Sequence, residues 1–266
     1  MKNHIYDNTW YENADQLLEL YKQEPDRTEL TVIGLGLTDL SVLERFTRLH
    51  TLYVGGIYHT GAHPDHCDMI QDFSALCHLP HLRYLQIHDC QHFNEQQLEY
   101  VTTIPHLQGL SVTSFMHIIH DFSSLVNATK LQVLELADIS DLTPLSHLAH
   151  LRFLHITNRW SEHVIDDFTP LSHLSELQEL ILEFPAPGTI DLRPLSTISM
   201  LKILDLSPCR IGLDVPHLDL LKTQLPECHI IPVSQPAHGK TRRVLRAGIE
   251  NIFKTWITKY ETVPGA

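Results

Sequence analysis

Histidine is the most prominent reactive side chain in this sequence, with 20 copies among 266 residues. Six candidate metal ligands crowd one stretch: His59, His63, Asp65, His66, Cys67 and Asp68. Imidazole nitrogen and thiolate sulfur are the donors zinc prefers. A closed zinc site also needs ligand spacings that reach tetrahedral geometry, and His63-x-x-His66-Cys67 matches none of the usual ones. In so histidine-rich a chain the cluster reads as coincidence, and no metal is expected. The pairs His78/His81 and His147/His150 also read H-x-x-H, each histidine standing just before a leucine at a position expected to be solvated. Their protonation near pH 6 would reduce negative charge, but nothing else in the sequence asks for a pH sensor.

The motifs that carry catalysis are absent. There is no GxxxxGK[ST] phosphate loop, no GxSxG nucleophile turn and no HExxH. Gly34-Leu35-Gly36 lacks the third glycine of a dinucleotide fingerprint. The expectation is a protein that is not an enzyme and holds no cofactor. Five cysteines (Cys67, Cys77, Cys90, Cys209, Cys228) form an odd, scattered set without a CxxC pair. They read as reduced thiols. Met1 to Tyr21 carries Asp7, Glu12, Asp15 and Glu19 and no apolar run of the kind a secretory signal needs. No stretch is long and apolar enough to span a membrane. These features set the expectation of a cytoplasmic protein.

Charge is distributed unevenly. The chain has 19 Lys and Arg against 32 Asp and Glu, a net of −13. Residues 234–266 hold six cations (Lys240, Arg242, Arg243, Arg246, Lys254, Lys259) against Glu250 and Glu261, a net of +4. The preceding 233 residues carry 13 against 30, a net of −17. An acidic body repels phosphates, so nucleic acid is not the expected partner, whereas a basic protein would be attracted.

The positioning elements emerge from an internal repeat. L-x-x-[LI]-x-[LIV] occurs at Leu49-Leu52-Val54, Leu82-Leu85-Ile87, Leu107-Leu110-Val112 and Leu131-Leu134-Leu136, then at Leu151-Leu154-Ile156, Leu177-Leu180-Leu182 and Leu201-Leu204-Leu206. A second element precedes or follows each: Asp39-Leu40-x-x-Leu43, Asp72-Phe73-x-x-Leu76, Asp121-Phe122-x-x-Leu125, Asp141-Leu142-x-x-Leu145, Asp167-Phe168-x-x-Leu171 and Asp191-Leu192-x-x-Leu195. Three of these contain Thr143-Pro144, Thr169-Pro170 and Arg193-Pro194. The Ser or Thr is read as an N-cap and the proline as the first helical residue. Apolar residues three apart, such as Leu142, Leu145, Leu148 and Leu151, suit a short helix or 3-10 turn. Asn94-Glu95-Gln96-Gln97-Leu98 breaks the pattern and predicts one longer helix.

With these residues the chain resembles the leucine-rich repeat family, in the short-repeat class of phosphatase-regulator-type and internalin-type proteins. The resemblance covers residues 30–233. It implies an α/β solenoid with parallel strands on a concave face and short helices or 3-10 turns on a convex face. The asparagine ladder of the family is largely missing, since Asp89-Cys90, Ser114-Phe115 and Asp138-Ile139 follow the strands. The ends need caps: residues 1–29 supply an N-terminal cap helix around Asn13–Tyr21, and Ile230, Ile231 and Val233 read as a last edge strand. Residues 234–266 contain a basic amphipathic helix with Val244, Leu245, Ile249, Ile252, Phe253, Trp256 and Tyr260 on one face, a cap on Leu218, Leu221 and Leu225 or a tail.

Side chains alternating with the strand leucines point out of the core. Those expected on the concave face include Tyr53, Tyr84, Glu135, Phe153, His155, Glu179, Ile181, Glu183, Ile203 and Asp205, with Trp160 at its rim. Apolar anchors mixed with carboxylates are the composition of a protein-binding patch. The expectation is a stoichiometric inhibitor that binds a basic protein, such as a bacterial immunity protein neutralising a toxin. The alternatives are a regulatory or scaffold subunit of an enzyme such as a phosphatase, and a translocated effector.

Overall fold

Leucines three residues apart become backbone geometry as well as core. In the computed structural model, which describes residues 13–33, 37–55, 70–113, 119–158, 165–184, 188–207, 209 and 213–233, each such run is a chain of i→i−3 hydrogen bonds. Leu145 N donates to Leu142 O, Leu148 N to Leu145 O and Leu151 N to Leu148 O, at 2.9–3.0 Å. The same side chains are buried. A 3-10 turn has three residues per turn, so every third side chain falls on one face. Among the described residues, six five-residue turns are built this way: Ser41–Arg45, Ser74–His78, Ser123–Asn127, Thr143–His147, Thr169–His173 and Arg193–Thr197.

The structure corrects the expected capping. The turns open at the Ser or Thr, or at Arg193, and no N-cap side chain bonds to them. The capping oxygen belongs to the aspartate two residues earlier. Oδ1 of Asp39, Asp72, Asp121, Asp141, Asp167 and Asp191 accepts from the backbone N–H of Ser41, Ser74, Ser123, Thr143, Thr169 and Arg193 at 2.7–3.0 Å. A short carboxylate reaching its own backbone two residues on is the Asx turn, which explains the aspartate of each repeat.

The chain divides into two compact units, Met1–Ala128 and Thr129–Ala266. In the first, α1 (Ala14–Gln23) is capped by Asn13, whose side chain accepts from Gln16 N. It buries Leu17, and Tyr21 meets Phe46 edge-on at 5.4 Å. Strands β1 (Glu29–Ile33), β2 (Thr51–Gly55), β3 (Tyr84–His88) and β4 (Gly109–Thr113) run parallel in sequence order. Their register aligns Leu30, Leu52, Leu85 and Leu110, and beside them Val32, Val54, Ile87 and Val112. The divergent repeat forms α2 (Glu95–Thr102), capped by Asn94. It packs on the turns at Ser74–His78 and Ser123–Asn127. Gln97 is drawn into the interior, where its Oε1 accepts from Phe73 N at 2.9 Å.

The second unit repeats the scheme. Strands β5 (Val133–Ala137), β6 (Phe153–Thr157), β7 (Glu179–Glu183), β9 (Ile203–Asp205) and β11 (His229–Ile231) pair in parallel. Leu134, Leu154, Leu180, Leu204 and Ile230 share one line of the register. Each fully buried leucine contributes about 2 kcal/mol, and no single repeat can bury its own. Short strands β8 (Gly188–Thr189) and β10 (Leu213–Asp214) pair apart from this sheet, and α3 (Leu218–Gln224) packs on the Arg193–Thr197 turn.

Strand exits replace the missing asparagines. Asp89 and Asp138 adopt left-handed φ of 54° and 58°, a conformation aspartate tolerates better than most residues. Their N–H groups donate to Thr113 O and Thr157 O in the next strand. The Cys90 and Cys209 thiols donate back to Val54 O and Leu182 O in the preceding strand, and Asn158 Nδ2 to Ile139 O at 3.0 Å.

Candidate protein-binding face

In the first unit the outward strand positions close on one another. Tyr53 lies over Gly55, where a Cβ would stand 2.5 Å from the Tyr53 ring and would push it aside. The Tyr53 ring meets His88 edge-on at 5.2 Å, and His88 Nε2 lies 3.0 Å from Ser111 Oγ. Tyr84 donates to Gln108 Oε1 and is buried. Tyr53 remains partly accessible; Tyr84, expected beside it on the surface, does not.

The second unit holds the acidic residues. Glu135 on β5 and His155 on β6 are register partners, and His155 Nδ1 stands 3.1 Å from Glu135 Oε1. Their side chains are 3% and 1% exposed, and Phe153 is 1% exposed. The expectation that Glu135, Phe153 and His155 are solvent-facing is therefore corrected: carboxyl and imidazole turn toward each other, out of water and within hydrogen-bond distance. The open part of the face lies on the next strands. Glu179, Ile181 and Glu183 on β7 and Ile203 and Asp205 on β9 are half-buried. The register continues onto β11, where His229 stands beside Ile203 and Ile231 beside Asp205. His229 is exposed and Ile231 half-buried. Sequence reading placed Ile230, Ile231 and Val233 in a last edge strand, left His229 out of it and assigned none of them to this face; the alternation of His229 and Ile231 about Ile230 was the available signal.

Three carboxylates and three isoleucines thus share the outer surface of β7, β9 and β11. Their field is felt at Cys209, whose thiol is pushed up to about 11 by burial first, with Glu183 and Asp205 adding to the rise. That cysteine stays protonated and is no nucleophile. Trp160, the His59–Asp68 cluster, Gly34-Leu35-Gly36 and the basic helix of residues 240–260 lie outside the described residues.

On the turn side, two of the histidines bridge neighbouring repeats. His78 Nδ1 stands 2.7 Å from Glu44 Oε1 and His150 Nδ1 3.0 Å from Glu176 Oε1. The hydrogen bond from His150, with Arg152 behind it, holds the Glu176 carboxyl below its ordinary range. Among the described residues, no three His, Cys, Asp or Glu side chains converge as metal ligands. Nor is any helix there long and apolar enough to cross a membrane.

No known family model matches the chain, and no curated protein does. Solved structures do. Internalin C2 of Listeria monocytogenes is 21% identical, with a TM-score of 0.59 over 78% of this chain and 80% of that one. A leucine-rich repeat protein of Leptospira interrogans is 18% identical, with a TM-score of 0.53 over 85% of this chain and 58% of its own. This is the leucine-rich repeat fold. The mouse RP105/MD-1 complex shows the same likeness at 19% identity and a TM-score of 0.54, over 79% of this chain and 35% of that one. At such identities the likeness establishes the leucine-rich repeat architecture and leaves function to be argued from the face itself.

Proposed function

We propose that this leucine-rich repeat chain is a protein-binding scaffold that acts without catalysis, gripping a basic partner on the outer face of β7, β9 and β11. One observation carries the reading: Glu179, Glu183 and Asp205 stand among Ile181, Ile203 and Ile231 on a rigid sheet face and remain partly open. Carboxylates steer a cationic partner inward, and desolvated isoleucines supply the affinity once it arrives. RP105, a structural neighbour, was solved in complex with another protein, MD-1, which fits a recognition role for such a fold.

The finer reading is a stoichiometric inhibitor, such as a bacterial immunity protein that occupies the basic cleft of a toxin. It is supported by the net charge of −17 over residues 1–233. A cytoplasmic location belongs to the same reading and rests on the thiols of Cys77, Cys90, Cys209 and Cys228, none of which forms a disulfide. Capture from the native organism on a tagged full-length chain, washed first at low and then at high salt, tests it. One basic protein held at equal stoichiometry and released by salt is the expected result. A large multi-subunit enzyme held at both salt concentrations would favour a regulatory subunit instead.

A further inference from the structure

The register fixes what surrounds Ile181. Along β7, Glu179 and Glu183 stand two residues before and two residues after it on the same side of the strand. Across the sheet its register partners are His155 on β6 and Asp205 on β9. His155 is buried against Glu135, so that side is closed by packed side chains. Ile203, the register partner of Glu179, lies diagonally beside Ile181 and is likewise half-buried. The result is one apolar spot with a carboxylate at each end along the strand and a third on its flank. An apolar centre ringed by groups that exclude water is the usual form of an energetic anchor in an interface.

Spacing then selects the shape of the occupant. In a parallel strand two residues rise about 6.6 Å and four about 13 Å, which sets the length of the row Glu179, Ile181, Glu183. An extended chain laid along β7 repeats its own side chains at the same interval. An α-helix does not: its residue i+7 has risen only about 10 Å, and i+8, at about 12 Å, is turned about 80° off the contacting face. The chain that matches this row is therefore extended, with a cation, an apolar side chain and a second cation at alternate positions.

We propose that this face accepts an extended segment of the basic partner, whose apolar side chain packs on Ile181 and Ile203 and whose lysine or arginine two residues to either side meets Glu179 and Glu183. The inference rests on the proposed function for the existence of a basic partner and adds the form of the segment that partner presents. Ile181 supplies the discrimination, while the two glutamates supply an attraction that any cationic chain would share.

Short fluorescein-labelled synthetic peptides, titrated with the full-length chain at low salt and read by anisotropy, test it. The first carries two lysines with a leucine midway, two residues from each, in a threonine- and serine-rich backbone. The second has the same composition with the leucine moved outside the lysine pair, and the third holds the lysines and leucine on one face of an alanine-rich helix. The first should bind about tenfold more tightly than either of the others. Ile181→Ala should erase that preference and Ile181→Leu keep it, each with a native melting transition. Glu179→Gln with Glu183→Gln should instead weaken all three peptides and flatten their salt dependence. Equal affinity for the first two peptides, tighter binding of the helical one, or no binding of any would overturn the inference. A basic protein still captured from the native organism in those cases would leave the proposed function standing. Preference for the first peptide with no basic protein captured would overturn only the proposed function.

Discussion

Glu135 and His155 show how one pair of side chains can be both polar and interior. Each lies on an outward strand position, and each is hidden from water with the other as its hydrogen-bond partner. A buried pair of this kind adds little net stability, but removing Glu135 takes from the enclosed imidazole of His155 its hydrogen-bond partner. Glu135→Leu is expected to lower the unfolding free energy by about 3 kcal/mol, read from the urea midpoint. The double change Glu135→Leu/His155→Leu should recover most of that loss; a single variant as stable as the parent would mean the pair is not formed. The period-two alternation that marks both residues as outward is legible in the sequence. Their burial is not, because alternation reports which side of a strand a residue takes and nothing of what lies on that side.

At the scale of elements, the aspartate opening each turn is the most regular device in the chain. Asp141→Ala removes the acceptor for Thr143 N–H and should cost about 1 kcal/mol, measurable as a lowered thermal midpoint. The carboxyls also make the turns sensitive to acid. Asp39, Asp121 and Asp167 sit below their ordinary value of 3.8, held down by hydrogen bonds from Ser41, Ser123 and Thr169. Asp191 is drawn down to about 2, chiefly by the Arg193 guanidinium. A group depressed in the folded state contributes stability above its unfolded value, and loses it as pH falls through the folded one. Denaturation curves between pH 5 and pH 2 should therefore show stability roughly level above about pH 4 and falling steadily below it. A flat profile down to pH 2 would contradict the capping role. The repeat of Asp, Leu and Leu was visible in the sequence, yet the cap was placed on the Ser or Thr, since α-helices take N-caps there. A 3-10 turn preceded by an Asx turn shifts that task two residues back.

At the scale of the whole molecule, the repeat spacing foretold the parallel strands and turns, down to the register line of Leu134, Leu154, Leu180 and Leu204. Leu154 is fully buried on that line, so Leu154→Asp should abolish the cooperative thermal transition by placing a charge among leucines. A native-like transition would show the register to be wrong. The proposed binding face was less legible. The sequence named Glu179, Ile181, Glu183, Ile203 and Asp205 together with residues that prove buried, and it passed over Ile231, because exposure on a sheet depends on neighbours far away in the chain.

The central claim is that the open carboxylate and isoleucine surface of β7, β9 and β11 grips a basic protein. Its most direct test is quantitative capture by the unmodified chain beside the triple variant Glu179→Lys/Glu183→Lys/Asp205→Lys, with melting curves of both. The account predicts that one basic protein is retained at equal stoichiometry by the former and lost by the latter, while the melting transition is preserved. Equal retention by both folded chains, or no basic protein on either, would contradict it.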